Sequence, residues 1–528
     1  MAFVLLTGCG GSGGGEAPVG GGGAGSGGSG SGSGWVSGQF FAASTFKNQC
    51  QNPRSGTDPS TGRLYPDIQG ATLDENNWLR SWSDETYLWY DEIIDRNPAN
   101  DAVPIDYFDQ LKTFEMTATG ASKDKFHFTY DTEDWIALSQ SGVRVGYGVV
   151  WAILEALPPR EIAVAYSEPN TPAGTGGFER GDRIVSIDGI DVVDDDSAAG
   201  VAAINAALYP AQAGETHNFE IEDLVTGNIE LVQLTSGSVA STPVQHTRTV
   251  TSPNGATVGY MLFNDHIATS EQGLIDAIDV LAAVPGGIDD LVIDIRYNGG
   301  GFLVIASQLA YMIAGQASTG GRVFELTEFN DKHSAINPVT GNPITSMGFV
   351  DETVGLSAPA NPPTPLPTLD LSRVFVLTGN GTCSASEAVV NGLRGIGIEV
   401  IQIGETTCGK PYGFYPTDNC GSTFFTVQFR GVNDSGFGDY TDGFTPSGSS
   451  SSTDASPPGC LVADDFDHRF GDPAEARLSA ALFYRDNSIC PAPAPSPKVQ
   501  GLSKASTEGA SQPIVWKPEG LNNRIIGH

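Results

Sequence analysis

The sequence predicts a multidomain α/β protein with a small helical N-terminal domain, a β-rich middle domain and an α/β C-terminal domain. Its 528 residues are too many for one hydrophobic core, and the usual size of ~100–200 residues per domain suggests two to four units. The apolar pattern changes along the chain: helical spacing over 46–141, short β-type runs over 142–240, and alternating strands and helices over 241–490.

The first nine residues are apolar and end in Leu6-Thr7-Gly8-Cys9, which resembles a bacterial lipobox. The resemblance implies an acylated Cys9 on an exported lipoprotein, at the periplasmic face of the outer membrane or the cell surface. Two or three acyl chains would anchor it, since one chain binds a bilayer only marginally. A chance tetrapeptide is the alternative, because no Lys or Arg precedes the apolar run. Residues 10–45, rich in Gly and Ser, are predicted to form a flexible tether.

The chain is strongly acidic, with 27 Lys and Arg against 62 Asp and Glu and a net charge of −35. This charge repels nucleic-acid phosphates and anionic membrane surfaces. We therefore expect no nucleic-acid partner, and membrane contact only through the lipid anchor.

Six cysteines remain once Cys9 is set aside: Cys50, Cys383, Cys408, Cys420, Cys460 and Cys490. An even number behind an export signal predicts disulfides in an oxidising compartment, and six cysteines allow fifteen pairings. The sequence has no CxxC and no Cys/His cluster with zinc spacing, so we expect no metal and no other cofactor.

Two helical segments are predicted within 46–141. The first has an apolar stripe on one face, formed by Trp78, Trp82, Trp89 and Ile93. Pro98 is expected to end this helix. Such a stripe indicates core packing rather than a ligand site.

The middle region, 142–240, is predicted to have strands at 143–151, 162–166, 183–187, 217–221 and 229–235 and a helix at 198–207. Two parts resemble a PDZ domain. Gly146-Tyr147-Gly148-Val149 is similar to the carboxylate-binding loop and the start of the strand beside it, and residues 167–189 are similar to the stretch after the second strand. In such a loop, successive N–H groups bind a peptide's terminal carboxylate while the strand accepts the peptide by β-augmentation.

The C-terminal domain, 241–490, is predicted to have strands at 259–263, 290–295, 374–377, 399–403 and 422–429, with helices at 271–283, 303–314 and from about 384. The Pro-rich residues 491–528 are predicted to be extended or loosely docked.

Three segments of this domain carry the chemistry. A strand runs into the glycine turn Asn298-Gly299-Gly300-Gly301, whose bare backbone suits an oxyanion hole. Ser384 stands where a second strand turns into a helix, so N–H groups and the helix dipole favour a negative charge there, although a capping box with Glu387 is the structural alternative. Lys410 follows a third strand, and burial that lowers a lysine pKa from ~10.4 makes it a base.

Taken together, the Ser-Ala-Ser-Glu helix start, the Gly-Lys 26 residues after the serine, the upstream Asp-Ile-Arg-x-Asn-Gly-Gly and the PDZ-like region resemble the tail-specific, C-terminal processing serine proteases. The resemblance implies a crotonase-like (ββα spiral) core and a serine endopeptidase that cuts exported proteins at or near their C-termini. It implies Ser384 as nucleophile, Lys410 as base, and oxyanion donors from the Ala385 N–H and a glycine of Gly299-Gly300. Its expected partners are polypeptides with accessible C-termini.

The third polar residue departs from part of this family. Some members have a glutamine four residues after the lysine, where Phe414 stands here; others use the glutamate three after the serine, here Glu387, which we favour. A second departure is a cysteine beside each catalytic residue. We hypothesise a Cys383–Cys408 disulfide that joins the two loops, with Cys408–Cys420 as the alternative.

Three other functions compete with this interpretation. Gly404-x-x-x-x-Gly409-Lys410 matches most of a P-loop, but Pro411 replaces its Ser or Thr. A Ser/His/Asp hydrolase could use His246, His266 or His333, although no Gly-x-Ser-x-Gly surrounds Ser384. A non-catalytic lipoprotein could use its PDZ-like domain only to bind peptide C-termini.

Overall fold

The computed structural model describes residues 35–117, 119–449, 452–492 and 524–525. The predicted lipobox with Cys9, most of the tether and most of the C-terminal tail lie outside these residues. No helix within the described ranges is both long and apolar enough to cross a membrane.

The N-terminal region contains short strands and three α-helices: β1 (Gln49–Cys50), β2 (Ile68–Gln69), α1 (Thr72–Thr86), α2 (Pro104–Phe108), β3 (Phe128–Asp131) and α3 (Thr132–Ser141). The Asp131 carboxylate caps α3, and Gly142 ends it in the left-handed conformation. The predicted extent of the first helix is wrong. It stops at Thr86, and Trp89 lies beyond it, because the Leu88 N–H bonds to the Val427 carbonyl of the C-terminal region at 2.8 Å. This contact overrides the helical spacing.

The N-terminal region packs directly on the C-terminal region. Strand β3 pairs antiparallel with β22 (Ser422–Phe425), and a disulfide joins Cys50 to Cys420. Trp78 and Trp82 stack with ring centroids 5.1 Å apart, and both rings meet the edge of Phe424. The predicted aromatic stripe is thus core packing, as expected.

The middle region forms a separate sheet. Its elements are β4 (Val143–Gly146), β5 (Val149–Glu155), β6 (Glu161–Ser167), α4 (Pro172–Thr175), β7 (Arg183–Ile187), β8 (Ile190–Asp191), α5 (Ala198–Leu208), β9 (Thr216–Glu222), β10 (Ile229–Thr235) and β11 (Gly237–Ala240). The strand order is β10-β9-β7-β6-β5, so β5 is an edge, while β4 pairs with β11. The single strand predicted over 143–151 is two strands, divided at Tyr147-Gly148. Gly148 has φ 78°, and a Cβ there would lie 2.3 Å from the Thr171 hydroxyl oxygen.

The C-terminal region begins with β12 (Val244–Thr251), β13 (Thr257–Phe263), α6 (Ser270–Ala282), β14 (Asp290–Asp294), β15 (Gly301–Phe302), α7 (Leu303–Thr319), β16 (Val323–Phe329) and β17 (Met347–Gly348). It continues with β18 (Arg373–Thr378), α8 (Ala385–Gly395), β19 (Glu399–Gly404), β20 (Tyr412–Gly413), β21 (Thr417–Asn419), β22, β23 (Phe429–Val432), β24 (Gly459–Leu461) and α9 (Ala476–Asn487). The strand predicted over 422–429 is divided between β22 and β23.

The main sheet has the order β12-β13-β14-β18-β19-β24, and all of its pairs are parallel except β12 with β13. Alternate side chains of its strands face opposite sides. One face packs against α6, α7 and α8, and the other packs against α9. Both faces are therefore covered, as is usual for a parallel sheet. The mixed α/β multidomain fold predicted from the sequence is confirmed.

The sheet topology positions the functional segments. Strands β14, β18 and β19 are adjacent and parallel. The glycine turn follows β14, Ser384 follows β18, and Lys410 follows β19. Because neighbouring parallel strands end at one edge of the sheet, the three predicted segments meet there, where α/β sheets usually bind ligands. We call this place the catalytic edge, after the function that the sequence predicts for it.

Candidate active site

The glycine turn at the catalytic edge is held by Asn298, which is fully buried. Its backbone carbonyl accepts the Cys383 N–H at 3.1 Å and the Ser386 hydroxyl at 3.0 Å. Its side-chain oxygen accepts the Gly300 N–H at 3.0 Å and lies 2.9 Å from Nδ1 of His266. Asn298 thus joins the turn to the segment that carries Ser384.

This arrangement distinguishes between Gly299 and Gly300, the two candidate oxyanion donors predicted from the sequence. The Gly300 N–H is already bonded to Asn298. The N–H groups of Gly299 and Ala385 have no acceptor among the described residues. Of the glycine pair, only Gly299 therefore has a donor available for a ligand, and the Ala385 N–H is available at the start of α8.

Ser384 precedes α8 with a strained backbone. Its φ is 60° and its ψ −113°, a combination that is unfavourable for a residue with a Cβ and is found mainly where function requires it. The side chain is fully buried. The Ser384 N–H bonds to the Glu387 carboxylate at 2.8 Å, so the capping box with Glu387, which was the structural alternative from the sequence, is present. An ordinary cap does not require the strained backbone of Ser384.

Glu387 lies at the centre of the catalytic edge and is fully buried. Its Oε2 accepts the N–H groups of Ser384 and Lys410, each at 2.8 Å. Its Oε1 accepts the Gly409 N–H at 2.9 Å and the Thr407 hydroxyl at 2.5 Å. Burial raises the pKa of this carboxyl, and the four hydrogen bonds oppose the rise. One oxygen atom of Glu387 thus accepts the backbone N–H groups of both Ser384 and Lys410.

Lys410 is fully buried, and its ammonium group lies among aromatic rings. Nζ is 4.1 Å from the ring centroid of Phe414 and 4.9 Å from that of Phe126. Phe414 stands where some family members have glutamine, so that position does lie beside the lysine, but here it is apolar. Phe126 comes from the N-terminal region and had no signal in the sequence.

A disulfide joins Cys383 to Cys408, with the two Cα atoms 5.1 Å apart. The Cys408 N–H also bonds to the Thr382 carbonyl at 2.9 Å. The predicted bridge between the loops that carry Ser384 and Lys410 is confirmed. The alternative pairing of Cys408 with Cys420 is wrong, because Cys420 is bonded to Cys50; the third disulfide joins Cys460 to Cys490.

Asp294-Ile295-Arg296, which lies just before the glycine turn in the sequence, has a structural role. The Arg296 guanidinium is buried and bonds to Asp294 at 2.8 Å, Asp464 at 2.6 Å and Glu475 at 2.8 Å. Burial alone would raise the pKa of Asp464, but the guanidinium groups around it, Arg296 foremost, hold that pKa well below its usual range. This ion cluster fixes the end of β14 directly before the glycine turn.

Of the three histidines considered from the sequence, only His266 lies at the catalytic edge. Its backbone pairs with Gly300 and Phe302, and burial lowers the pKa of its imidazole to about 4, so it is neutral at pH 7. Its Nδ1 partner is an amide, not the carboxylate of a Ser/His/Asp triad. His333 bonds to the Glu85 carbonyl and His246 packs against Phe470.

The P-loop alternative is wrong, because strand β20, not a helix, follows Lys410.

In the middle region, the predicted carboxylate loop connects β4 to the edge strand β5. The carbonyls of Tyr147 and Gly148 accept N–H groups of Ala173 and Glu168, at 2.9 and 2.7 Å. The N–H groups of Tyr147 and Gly148 have no acceptor in the part of the chain that the structure describes. Tyr147 itself is buried and meets Phe219 edge to face. The loop is therefore fixed through its carbonyls.

Residues 257–417 match the sequence profile of peptidase family S41. These residues are an S41 peptidase domain. The matched range begins at β13 and contains the glycine turn, Ser384, Glu387 and Lys410. The protease family predicted from the motifs is thus confirmed for this domain, and the match supports a peptidase.

Solved structures resemble the chain beyond the S41 domain. A protein from Bacteroides fragilis NCTC 9343 that is assigned as an S41 protease superposes with a TM-score of 0.59 at 23% identity, over 80% of this chain and 98% of its own. At this identity the likeness shows the fold. The photosystem II D1 C-terminal processing protease has a TM-score of 0.40 and 20% identity, over 72% of this chain and 93% of its own. No curated protein matches the sequence.

Proposed function

We propose that the protein is a serine endopeptidase in which Ser384 is the nucleophile and Lys410 the general base. The observation that carries this proposal is the convergence of the Ser384 and Lys410 N–H groups on one oxygen of Glu387, at the edge where three parallel strands end. The strained backbone of Ser384 and the complete burial of Lys410 support it. The mechanism uses Lys410 as the neutral amine, which is the form that can accept a proton.

The proposed reaction passes through an acyl-enzyme. Neutral Lys410 takes the Ser384 hydroxyl proton while Oγ bonds to the scissile carbonyl carbon. The carbonyl oxygen becomes an oxyanion, bonded by the N–H groups of Ala385 and Gly299. The Lys410 ammonium then gives its proton to the leaving amine as the C–N bond breaks. Water, deprotonated by Lys410, releases the acyl group and restores the serine.

Glu387 serves in this proposal as a positioning residue. Its two oxygens already accept three backbone N–H groups and one hydroxyl, so it has little capacity left to exchange a proton with Lys410. It acts by fixing where the nucleophile and the base stand relative to each other.

The test is digestion of an unstructured protein by wild type, Ser384→Ala and Lys410→Ala. We expect cleavage by wild type and a loss of at least ~1000-fold in each variant, because the pair acts as a unit. Ser479→Ala is the matched control, since this serine is exposed on α9. Intact substrate with wild type, or undiminished cleavage by either variant, would reject the proposal.

His266 provides the test of the alternative chemistry. A Ser/His mechanism predicts that His266→Ala abolishes cleavage and that Lys410→Ala retains it. The Ser/Lys mechanism predicts that Lys410→Ala is inactive. The purely binding alternative predicts that no chain cleaves, while peptides still bind to the middle region.

We propose further that substrates are polypeptides with accessible C-termini, bound by the PDZ-like middle region and cut at or near those C-termini. The support is the edge strand β5, starting at Val149, and the Gly146-Tyr147-Gly148 loop beside it, with two N–H groups available for a carboxylate. Peptides with amidated C-termini should bind more weakly than free acids. Equal binding would contradict this assignment.

We propose that the protein is exported and anchored through acylated Cys9. Three disulfides, which form in oxidising compartments, support export. Cys9→Ala should release the protein from membranes of an expressing bacterial cell. Continued membrane attachment of that variant would contradict the lipid anchor.

A further inference from the structure

A short strand near the end of the chain lies at the catalytic edge. Strand β25 (Arg524–Ile525) pairs in parallel with β15, with Arg524 opposite Gly301 and Ile525 opposite Phe302. Gly301 follows Gly299-Gly300 directly, so β25 lies beside the proposed oxyanion turn. One edge of β15 bonds to the backbone of His266, and its other edge pairs with β25.

The neighbours of β25 belong to both of the proposed catalytic loops. It pairs with β15, which contacts α8. It also contacts β20, two residues after Lys410, with Cα atoms within 8 Å. The backbone of Arg524–Ile525 thus lies close to the strand that follows the Gly299 turn and to the strand that follows Lys410.

The exposure of the catalytic residues agrees with a filled groove. Ser384 and Lys410 are each 0% exposed. A protein substrate must present an extended segment to such buried residues, and an exposed strand edge commonly binds such a segment by β-augmentation. The edge of β15 already has a strand on it, and that strand belongs to the same chain.

We infer that the segment at Arg524–Ile525 occupies the substrate position of the S41 domain and competes in cis with external substrates. This inference rests on the proposed endopeptidase function and identifies the edge of β15 as its substrate-binding strand. For a tethered segment, a local concentration on the order of 1 mM is typical, so a segment with a Kd of ~0.1 mM raises the apparent KM about tenfold.

The first test compares full-length variants. Arg524→Pro with Ile525→Pro removes both N–H donors of β25 and disfavours its pairing. The matched control, Ile514→Pro with Val515→Pro, places the same change ten residues earlier. We expect KM for a fluorogenic peptide to fall about tenfold in the first variant with kcat unchanged, and to stay at the wild-type value in the control. An unchanged KM in both variants overturns the inference.

The second test needs no activity. A fluorescent peptide of residues 517–528 is titrated into Ser384→Ala chains with and without the Arg524→Pro/Ile525→Pro pair. We expect about tenfold tighter binding when the internal strand is disrupted, and no binding of a scrambled peptide. Equal binding by both chains overturns the inference. If no chain cleaves substrate, the proposed function fails, and this titration still decides whether the segment binds the groove.

Discussion

The catalytic edge and the junction between the middle region and the C-terminal region are both buried, but they are held in different ways. At the catalytic edge, backbone N–H groups converge on Glu387 and a disulfide joins the loops. At the junction, hydrogen bonds and ion pairs between side chains accompany an apolar cluster that includes Tyr166 and Phe470. Arg180 bonds to Asp464 at 2.7 Å and to the Tyr297 hydroxyl at 2.8 Å. Asp265 lies nearby with one carboxylate oxygen that has no hydrogen-bond partner among the described residues.

The difference indicates which part is fixed and which can change. Backbone groups bonded to one buried carboxylate cannot move without leaving N–H donors unsatisfied, at ~1–3 kcal/mol each. Side-chain pairs can break and reform, and the charge of a buried carboxyl such as Asp265 depends on pH. We therefore expect substitutions at the catalytic edge to affect the rate most, and substitutions at the junction to affect it less.

Among substitutions other than those of Ser384 and Lys410, removal of the Glu387 carboxylate should have the largest effect. In Glu387→Ala the N–H groups of Ser384, Gly409 and Lys410 lose their acceptor, and we expect kcat to fall about 100-fold, as misplacement by ~1 Å can do. Peptide hydrolysis measures this loss, with circular dichroism to confirm folding. Glu399→Ala, which removes an exposed carboxylate from β19, is the control. Wild-type kcat in Glu387→Ala would contradict the positioning role.

The disulfides offer a matched comparison within the catalytic edge and outside it. Cys383–Cys408 and Cys460–Cys490 span 25 and 30 residues, so removing either pair should lower the free energy of unfolding by a similar ~3 kcal/mol. Only the first bridge holds catalytic loops, and its double alanine variant should lose about tenfold in kcat. Denaturant unfolding and hydrolysis are measured on both variants. Equal kcat in the two would show that the first bridge is only structural.

The main parts of the catalytic edge could be predicted from the sequence because they are local. A turn after a buried strand, a serine at a helix start and a lysine in a loop are each readable within a few residues. The paired cysteines beside Ser384 and Lys410 also predicted their own bridge. Parallel pairing of adjacent strands then brings these segments together.

What the sequence did not predict depends on contacts between distant segments. Phe126 reaches Lys410 from the N-terminal region, and no local pattern marks it. The choice of Gly299 over Gly300 as donor follows from a hydrogen bond of Asn298 that only the folded turn creates. Helix α1 ends at Thr86 because the Leu88 N–H bonds to the Val427 carbonyl, a contact that the helical spacing of the sequence cannot predict.

Arg180 should show whether the junction acts on the catalytic edge. Tyr297, which receives its hydrogen bond, precedes Asn298, so Arg180→Met should loosen the turn that holds Gly299. We expect kcat to fall about threefold, within the range of coupling between neighbouring elements. Arg322→Met is the control, because Arg322 pairs with Asp434 of the same C-terminal region and takes no part in the junction. If kcat fell equally in both variants, the loss of a positive charge would explain the fall, and the contact of Arg180 with Tyr297 would not.

Asp265 should affect stability rather than rate, and only at higher pH. Burial raises its pKa to about 7, with Arg144 opposing the rise and Glu168 adding to it. The unfolded pKa is ~3.9. Between these values the folded state binds more protons than the unfolded state, so this carboxyl lowers stability progressively as pH rises from about 4 to 7. Asp265→Asn removes that loss, and its free energy of unfolding should exceed the wild-type value by ~1 kcal/mol or more at pH 8, and by less at pH 5. Urea titrations at both pH values measure this difference, with Asp276→Asn, an exposed aspartate, as the control for removing one charge. A gain that is equal at pH 5 and pH 8 would show that the buried carboxyl does not titrate between them.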